Sequence, residues 1–124
     1  MTLTPYAHVL AVRDLPATTR YFTEVLGFSR DWNDAGNWEC LSRDGLRMMI
    51  GACPDAIPPA ELGDHSYFAY VNVDDVDALA AEFEGRGALI RSRPADKPWG
   101  VREMAVATPE GHRMMFAQVL ATQS

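Results

Sequence analysis

The stretch Val12-Arg13-Asp14-Leu15 is echoed later in the chain by Val73-Asp74-Asp75-Val76, at an offset of 61 residues (73 − 12). A longer stretch, Asp44-Gly45-Leu46-Arg47-Met48-Met49-Ile50, is echoed by Glu110-Gly111-His112-Arg113-Met114-Met115-Phe116 at an offset of 66 (110 − 44). Two correspondences in the same order indicate an internal duplication, and repeats of this kind fix an architecture. The second copy contains five extra residues (66 − 61) between the two matching stretches.

Each copy has the pattern of a strand, a helix and then a hairpin. The first begins with an apolar strand over 6–12, after which Asp14 caps a helix that ends at Gly27. The second begins with a strand over 67–73, and Asp75 caps the matching helix. Turn residues within each echoed stretch then separate two further strands.

The repeated order is therefore βαβββ, twice. We predict a single α+β domain over 1–124, in which two tandem modules form curved sheets around a cleft and the helices cover the outer faces. The first module spans about 5–53 and the second about 66–120, and a Pro-rich and polar linker joins them over about 54–65.

Composition excludes several classes of protein. With 124 residues, of which 48% are hydrophobic and 23% charged, the chain fits one compact domain, and its apolar runs are too short to span a membrane. The start of the chain lacks the pattern of a signal peptide, so we expect a cytoplasmic protein without a membrane partner. The net charge of −6 repels nucleic acid and attracts cationic ligands. Cys40 and Cys53 lie too far apart for a CxxC motif and are interpreted as buried or incidental thiols.

Strand alternation sorts the late strands into two faces. Leu46, Met48 and Ile50, with their counterparts at 112, 114 and 116, form a largely apolar face that belongs against the helix. The other face is mixed, as the lining of a small-molecule pocket usually is. Its candidate pocket residues are Arg47, Met49, Arg113 and Met115. The alternative is that these arginines lie on the surface and the methionines fill gaps in the core.

Alternation on the strand over 67–73 places Phe68, Tyr70 and Asn72 toward the cleft. The three tryptophans, Trp32, Trp38 and Trp99, lie in or beside hairpins and loops, where indole rings can stack on a planar ligand, although a lone tryptophan is more often part of a core. Glu39 and Glu103 can face a ligand's positive charge. Because Trp38 and Glu39 are adjacent, a regular strand cannot turn both inward.

The order of several short motifs resembles that of the vicinal oxygen chelate superfamily over nearly the whole chain. These motifs are Val12-Arg13-Asp14-Leu15, Tyr21-Phe22, Val25-Leu26-Gly27-Phe28, Trp99-Gly100-Val101-Arg102-Glu103 and Thr108-Pro109-Glu110-Gly111. The pattern is most similar to the bleomycin-resistance branch, which implies an acidic homodimer that sequesters cationic drugs in aromatic-lined crevices. Thr108 departs from the family pattern, which usually has Asp before this Pro, and the departure concerns a turn more than a function.

The resemblance also locates the positions at which enzymes of this superfamily hold a metal. In this sequence they are Ala7, Met49, Phe68 and Met115, none of which carries a nitrogen or oxygen donor. We therefore expect no metal and no cofactor. His8, His65 and His112 are weighed as displaced ligands, but alternation turns His8 and His112 away from the cleft and His65 falls in the linker.

Three functions remain open. The first is a binding protein that captures a small organic, antibiotic-like compound, planar and cationic or aromatic. Its expected ligand contacts are Trp32, Trp38, Arg47, Met49, Phe68, Tyr70, Trp99, Glu103, Arg113 and Met115. The second is an enzyme of the glyoxalase, dioxygenase or isomerase type, either metal-dependent or metal-free, and without a metal only Glu103 with Arg102 or Arg113 offers an acid and base pair. The third is a dimeric partner-binding module whose cleft is filled by its own tryptophans.

Overall fold

A computed structural model of the chain describes residues 1–62 and 67–120. The chain divides into two compact units, Met1–Pro58 and Pro59–Ser124, which are called here the first and the second module. None of the helices in the described ranges combines the length and the apolar character that crossing a membrane requires.

Each module consists of one helix and a four-stranded sheet. The elements of the first module are β1 (His8–Val12), α1 (Leu15–Arg20), a π-helical continuation of α1 (Tyr21–Val25), β2 (Ser29–Asp34), β3 (Trp38–Arg43) and β4 (Leu46–Ala52). The elements of the second are a short 3-10 turn (Pro59–Glu61), β5 (Tyr67–Asn72), α2 (Val76–Gly85), β6 (Leu89–Asp96), β7 (Val101–Ala107) and β8 (Arg113–Val119). The predicted α+β class and the twofold βαβββ order are confirmed.

Both sheets have the same topology. The strand order is β1-β4-β3-β2 in the first module and β5-β8-β7-β6 in the second. The first strand of each module pairs in parallel with the last one, and the remaining pairs are antiparallel. The pairs Val9↔Met49 and Tyr70↔Met115 occupy equivalent positions, so both sequence offsets, 61 (70 − 9) and 66 (115 − 49), also relate the two sheets.

Equivalent acidic residues start the two helices. The Asp14 carboxylate accepts a 3.0 Å hydrogen bond from the backbone N–H of Ala17, and the Asp75 carboxylate accepts one of the same length from Ala78. These bonds satisfy amides that the first helical turn leaves without a partner. The two predicted caps are therefore confirmed.

One face of each sheet packs against its helix and forms the core of its module. In the first module, Met48 and Ile50 are fully buried, together with Phe22 of the π-helical segment. In the second, Met114 is fully buried, and the ring of Phe116 meets that of Phe83 of α2 edge-on at 5.6 Å. The opposite faces are left for other contacts, and the second one contains a cavity.

Candidate ligand-binding site

The free face of the second sheet carries a cavity of about 550 Å³. This volume lies within the usual range of sites for small organic molecules. Its lining residues come from β5, β6, β7 and β8 and from the hairpin that joins β6 to β7. They are Tyr67, Tyr70, Arg91, Ser92, Trp99, Glu103, Ala105, Arg113 and Met115.

Strand register explains how these residues meet. Ala105 pairs with Met115 on one side and with Ser92 on the other, and Met115 pairs with Tyr70. Directly paired residues on neighbouring strands share a face of a sheet, so this row crosses all four strands. The short side chain of Ala105 at its centre leaves room for the cavity.

An irregularity in β5 changes which aromatic rings face the cavity. Tyr67 pairs with Arg113 and Ala69 with Met114, so that Phe68 is an extra residue between them. A bulge of this kind interrupts side-chain alternation. Tyr67 and Tyr70 consequently both line the cavity, whereas the ring of Phe68 lies edge-on to that of His112, 6.0 Å away. The prediction that Phe68 shares a face with Tyr70 is therefore wrong.

The five extra residues of the second copy bring Trp99 to the site. In the first module Trp32 pairs with Cys40, eight residues later (40 − 32), whereas the equivalent pair Ser92↔Ala105 is separated by thirteen (105 − 92). The second module therefore has five more residues (13 − 8) between these two equivalent positions, which include the ends of β6 and β7 and the loop that joins them. This longer hairpin carries Trp99, which lines the cavity and remains 64% exposed.

A hydrogen bond joins two of the lining residues. The hydroxyl of Tyr70 donates to Oε2 of Glu103 at 2.8 Å, and Glu103 is only 7% exposed. Burial raises the pKa of the Tyr70 phenol above its ordinary value, and the bond to Glu103 and the charge of Glu103 raise it further, while a hydrogen bond with Trp99 lowers it. Because the net shift is upward, Tyr70 remains a neutral hydrogen-bond donor at physiological pH.

Two arginines, Arg91 and Arg113, and one acidic residue, Glu103, line the cavity. Arg102, the other arginine considered as a partner of Glu103, does not line it. Its guanidinium instead bonds the carboxylates of Asp77 at 3.1 Å and Asp96 at 3.0 Å. In this structure the partners of the Arg102 guanidinium are thus two aspartates and not Glu103.

The corresponding face of the first module carries two of the predicted tryptophans. Trp38 pairs with Gly51 and Cys40 with Met49, whereas Glu39 pairs with Ile50 on the helix side. Glu39 accepts two hydrogen bonds there from Arg30, at 2.7 and 2.8 Å. Trp38, and not Glu39, thus lies on the face that is equivalent to the cavity.

Side chains on this first-module face bind one another. The guanidinium of Arg47 lies 3.3 Å from a carboxylate oxygen of Asp31 and 4.4 Å from the centre of the Tyr6 ring. The indole N–H of Trp32 donates to the hydroxyl of Tyr6 at 3.0 Å, and Ser42 donates to Asp31 at 3.0 Å. The charges and hydrogen-bonding groups are here matched within the module.

The positions at which the superfamily holds a metal do not fit one. Met49 and Met115 lie on the free faces of their sheets, but a thioether is a poor ligand for the divalent metals that such sites hold, and Ala7 and Phe68 offer no donor atom. Within residues 1–62 and 67–120, no three His, Cys, Asp or Glu side chains form a group that could hold a metal ion.

The histidines lie away from the cavity lining or outside the described residues. His112 is buried, and its Nδ1 lies 3.1 Å from the hydroxyl of Thr108, which also accepts a hydrogen bond from the His112 backbone. Thr108 therefore holds the turn before β8 together. His8 is exposed on β1, and His65 lies outside the described residues.

The ten predicted contact residues fall into three groups. Those that line the cavity are Tyr70, Trp99, Glu103, Arg113 and Met115. Those on the free face of the first module are Trp32, Trp38, Arg47 and Met49. Phe68 belongs to neither group. The lining residues that the sequence analysis missed are Tyr67, Arg91, Ser92 and Ala105.

The fold has close counterparts among solved structures. The bleomycin-binding protein of bleomycin-producing Streptomyces verticillus, solved in complex with copper(II)-bleomycin, matches with a TM-score of 0.73 and 23% identity over 99% of both chains. The bleomycin resistance determinant encoded on transposon Tn5 matches with a TM-score of 0.77 and 23% identity, over 94% of this chain and 98% of that one. TioX from Micromonospora sp. ML1 matches with a TM-score of 0.70 and 23% identity, over 98% and 100%.

At such identities these likenesses establish the fold alone. No curated protein matches the sequence. The family model of the glyoxalase/bleomycin resistance protein/dioxygenase superfamily, however, matches residues 5–116. That match spans both modules and nearly all of the described strands. The chain therefore belongs to the glyoxalase/bleomycin resistance protein/dioxygenase superfamily.

Proposed function

We propose that this chain is a cytoplasmic, homodimeric protein that binds and sequesters a planar, antibiotic-like organic compound without changing it chemically. The observation that carries the proposal is the cavity of about 550 Å³ on the second module, with three aromatic side chains around it. Tyr67, Tyr70 and Trp99 are 45%, 46% and 64% exposed, so their rings offer stacking area that the module itself does not cover.

The polar groups of the cavity suit recognition better than catalysis. Glu103 accepts a hydrogen bond from Tyr70, whose raised pKa keeps it a donor. Among the described residues that line the cavity there is no activated nucleophile. A small number of fixed polar groups within an aromatic lining is the usual composition of a site that orients a ligand. The carboxylate of Glu103 can also face a positively charged group of that ligand.

The structural neighbours are consistent with this proposal, but at 23% identity they do not establish the function of this chain. One of them was solved with copper(II)-bleomycin bound and another is a bleomycin resistance determinant. On the first module, Trp32, Trp38, Arg47 and Met49 are proposed as further contacts, secondary to the cavity because the polar groups there are already matched.

The test is a thermal-shift screen of antibiotics and aromatic metabolites, followed by mass spectrometry of each recovered compound. A binder stabilises the native state by mass action, by about 2.7 kcal/mol at a concentration one hundred times its Kd. We expect an aromatic binder that is recovered unchanged. Recovery of a modified compound would make the protein an enzyme, and the absence of any binder would contradict the proposal.

A further inference from the structure

The two modules differ in charge at one equivalent position, and this difference indicates which chemical group a ligand of the cavity carries. Asp31 lies in an irregularity of β2, between Arg30, which pairs with Leu41, and Trp32, which pairs with Cys40. Arg91 lies in the same irregularity of β6, between Ile90, which pairs with Val106, and Ser92, which pairs with Ala105. Arg91 thus takes the place of Asp31, with the opposite charge.

The arginine that Asp31 binds is retained in the second module. Arg47 pairs with Ser42, and its equivalent Arg113 pairs with Ala107. In the first module the Asp31 carboxylate lies 3.3 Å from the Arg47 guanidinium. In the second module the same two positions hold two arginines, and both residues line the cavity.

We propose that the ligand of the second-module cavity carries an oxyanion, such as a carboxylate, which contacts both Arg91 and Arg113. This inference rests on the proposed binding function and names the class of ligand. Two guanidinium groups provide planar donor arrays that match an oxyanion, and such charge-assisted bonds are stronger than neutral ones.

The layout of the sheet leaves space for this group. Arg91 and Arg113 lie on β6 and β8, two strands apart, so their backbones are separated by roughly 10 Å. The strand between them presents Ala105 to the cavity, and two long arginine side chains can converge above this small residue.

The cavity is also polarised along β7. Glu103 lies four residues from Ala107, the partner of Arg113, which corresponds to roughly 13 Å of extended strand. The bond from Tyr70 fixes the carboxylate of Glu103 at that far end. A planar ligand therefore finds guanidinium groups at one end and a carboxylate at the other, and its oxyanion belongs at the Arg91 end.

The experiment compares three compounds that share one ring system and differ in charge. They are 2-naphthoate, which is anionic, 2-naphthamide, which is neutral, and 2-naphthylmethylammonium, which is cationic. Isothermal titration calorimetry with the full chain gives the Kd of each. We expect 2-naphthoate to bind roughly tenfold more tightly than 2-naphthamide, because one charge-assisted contact accounts for a difference of that size.

Two substitutions locate the effect and one provides a control. Arg91→Gln removes one of the two guanidinium groups and should weaken the preference for 2-naphthoate, whereas Arg91→Asp reproduces the first-module arrangement and should abolish it. Arg93→Gln removes the same charge from the same strand, but Arg93 pairs with Glu84 and does not line the cavity. It should leave the preference intact.

The possible failures are distinguishable. If 2-naphthoate and 2-naphthamide bind equally, and Trp99→Ala weakens both, the binding function stands and the oxyanion inference is overturned. Tightest binding of 2-naphthylmethylammonium also overturns the inference and assigns the dominant charge to Glu103. If none of the three compounds binds, the proposed function fails and the inference fails with it.

Discussion

The hydroxyl of Tyr70 donates a 2.8 Å hydrogen bond to the carboxylate of Glu103, between strands that are not neighbours in the sheet. The bond spans β8, which lies between β5 and β7. It fixes the direction of a buried carboxylate and the protonation state of a phenol at one end of the cavity. Burial raises the pKa of Tyr70 most, and this bond and the charge of Glu103 raise it further.

Removal of the Glu103 charge should lower the pKa of Tyr70. A neutral phenol donates to the carboxylate, whereas a phenolate would repel it, so the present pair opposes deprotonation. The contribution of the bond is complete below the ordinary tyrosine pKa of about 10 and is lost as pH rises through the higher, native value. The measurement is a pH titration of tyrosine ring resonances by NMR, with Tyr70→Phe to assign the signal.

Glu103→Gln should move that titration toward lower pH, while Glu61→Gln, which removes an exposed acid from the same module, should not. Equal titrations of Tyr70 in both variants would contradict the importance of the bond.

A methyl group at Gly51 should displace the Trp38 ring. A Cβ atom at Gly51 would lie 2.9 Å from two atoms of that ring, whereas one at Gly45 would meet nothing within 4 Å. Overpacking of this kind costs about 1 to 3 kcal/mol. Gly51→Ala should therefore lower stability to chemical denaturation and change tryptophan emission, and Gly45→Ala should do neither by a comparable amount. Identical behaviour of the two variants would show that Trp38 does not cover Gly51.

One of the two cysteines should be inert in the native protein. Cys40 is buried and Cys53 is exposed, and both are free thiols. Burial and the nearby charge of Asp31 raise the pKa of the Cys40 thiol, although Tyr6 and Arg47 oppose the shift. Because the thiolate is the reactive form, we expect Ellman's reagent to label one thiol per chain in the native state and two after unfolding. Rapid labelling of both thiols in the native protein would refute this placement of Cys40.

The chain should sediment as a dimer at micromolar concentration. Superfamily resemblance implies a homodimer, and several large apolar side chains remain solvent-exposed on the single chain, among them Val9 at 62% and Trp99 at 64%. A second copy can cover such groups. Analytical ultracentrifugation that shows only a monomer at these concentrations would contradict the expectation.

Loss of Trp99 should weaken binding of 2-naphthoate by about five- to hundredfold. That range corresponds to about 1 to 3 kcal/mol for one well-stacked aromatic ring. Ile57→Ala is the matched control, since Ile57 is a large, 67% exposed apolar residue that does not line the cavity. If Trp99→Ala and Ile57→Ala bind 2-naphthoate with equal affinity, Trp99 does not contribute to the binding site.

The sequence was sufficient for the fold because the duplication carries the pattern twice. The helix caps at Asp14 and Asp75 and the buried faces at Met48 and Met114 follow from spacing and alternation alone. Side-chain alternation gave the wrong face for Phe68, because a bulge inserts one residue into β5 and no short sequence motif predicts that bulge. Alternation was correct for Tyr70, after the bulge, but it gave the wrong face for Tyr67, before it.

Arg91 and Ser92 were missed for a related reason. The strand β6 is mostly polar, so it has no apolar alternation from which a face can be assigned, and it too contains irregularities at Ile90/Ser92 and Ser92/Ala95. The increase of the repeat offset from 61 to 66 did indicate that residues are inserted between the two echoed stretches. Only the strand pairing assigns that insertion to the hairpin that carries Trp99.

The most direct test of the binding account is a two-dimensional NMR titration of the three indole N–H groups with 2-naphthoate. Trp99 lines the second-module cavity, whereas Trp32 and Trp38 belong to the first module, so each resonance reports on its own location. If the ligand binds in the second-module cavity, the Trp99 resonance moves most and saturates with the calorimetric Kd, and 2-naphthoate is recovered unchanged. A Trp99 resonance that remains stationary while 2-naphthoate binds would contradict binding in this cavity.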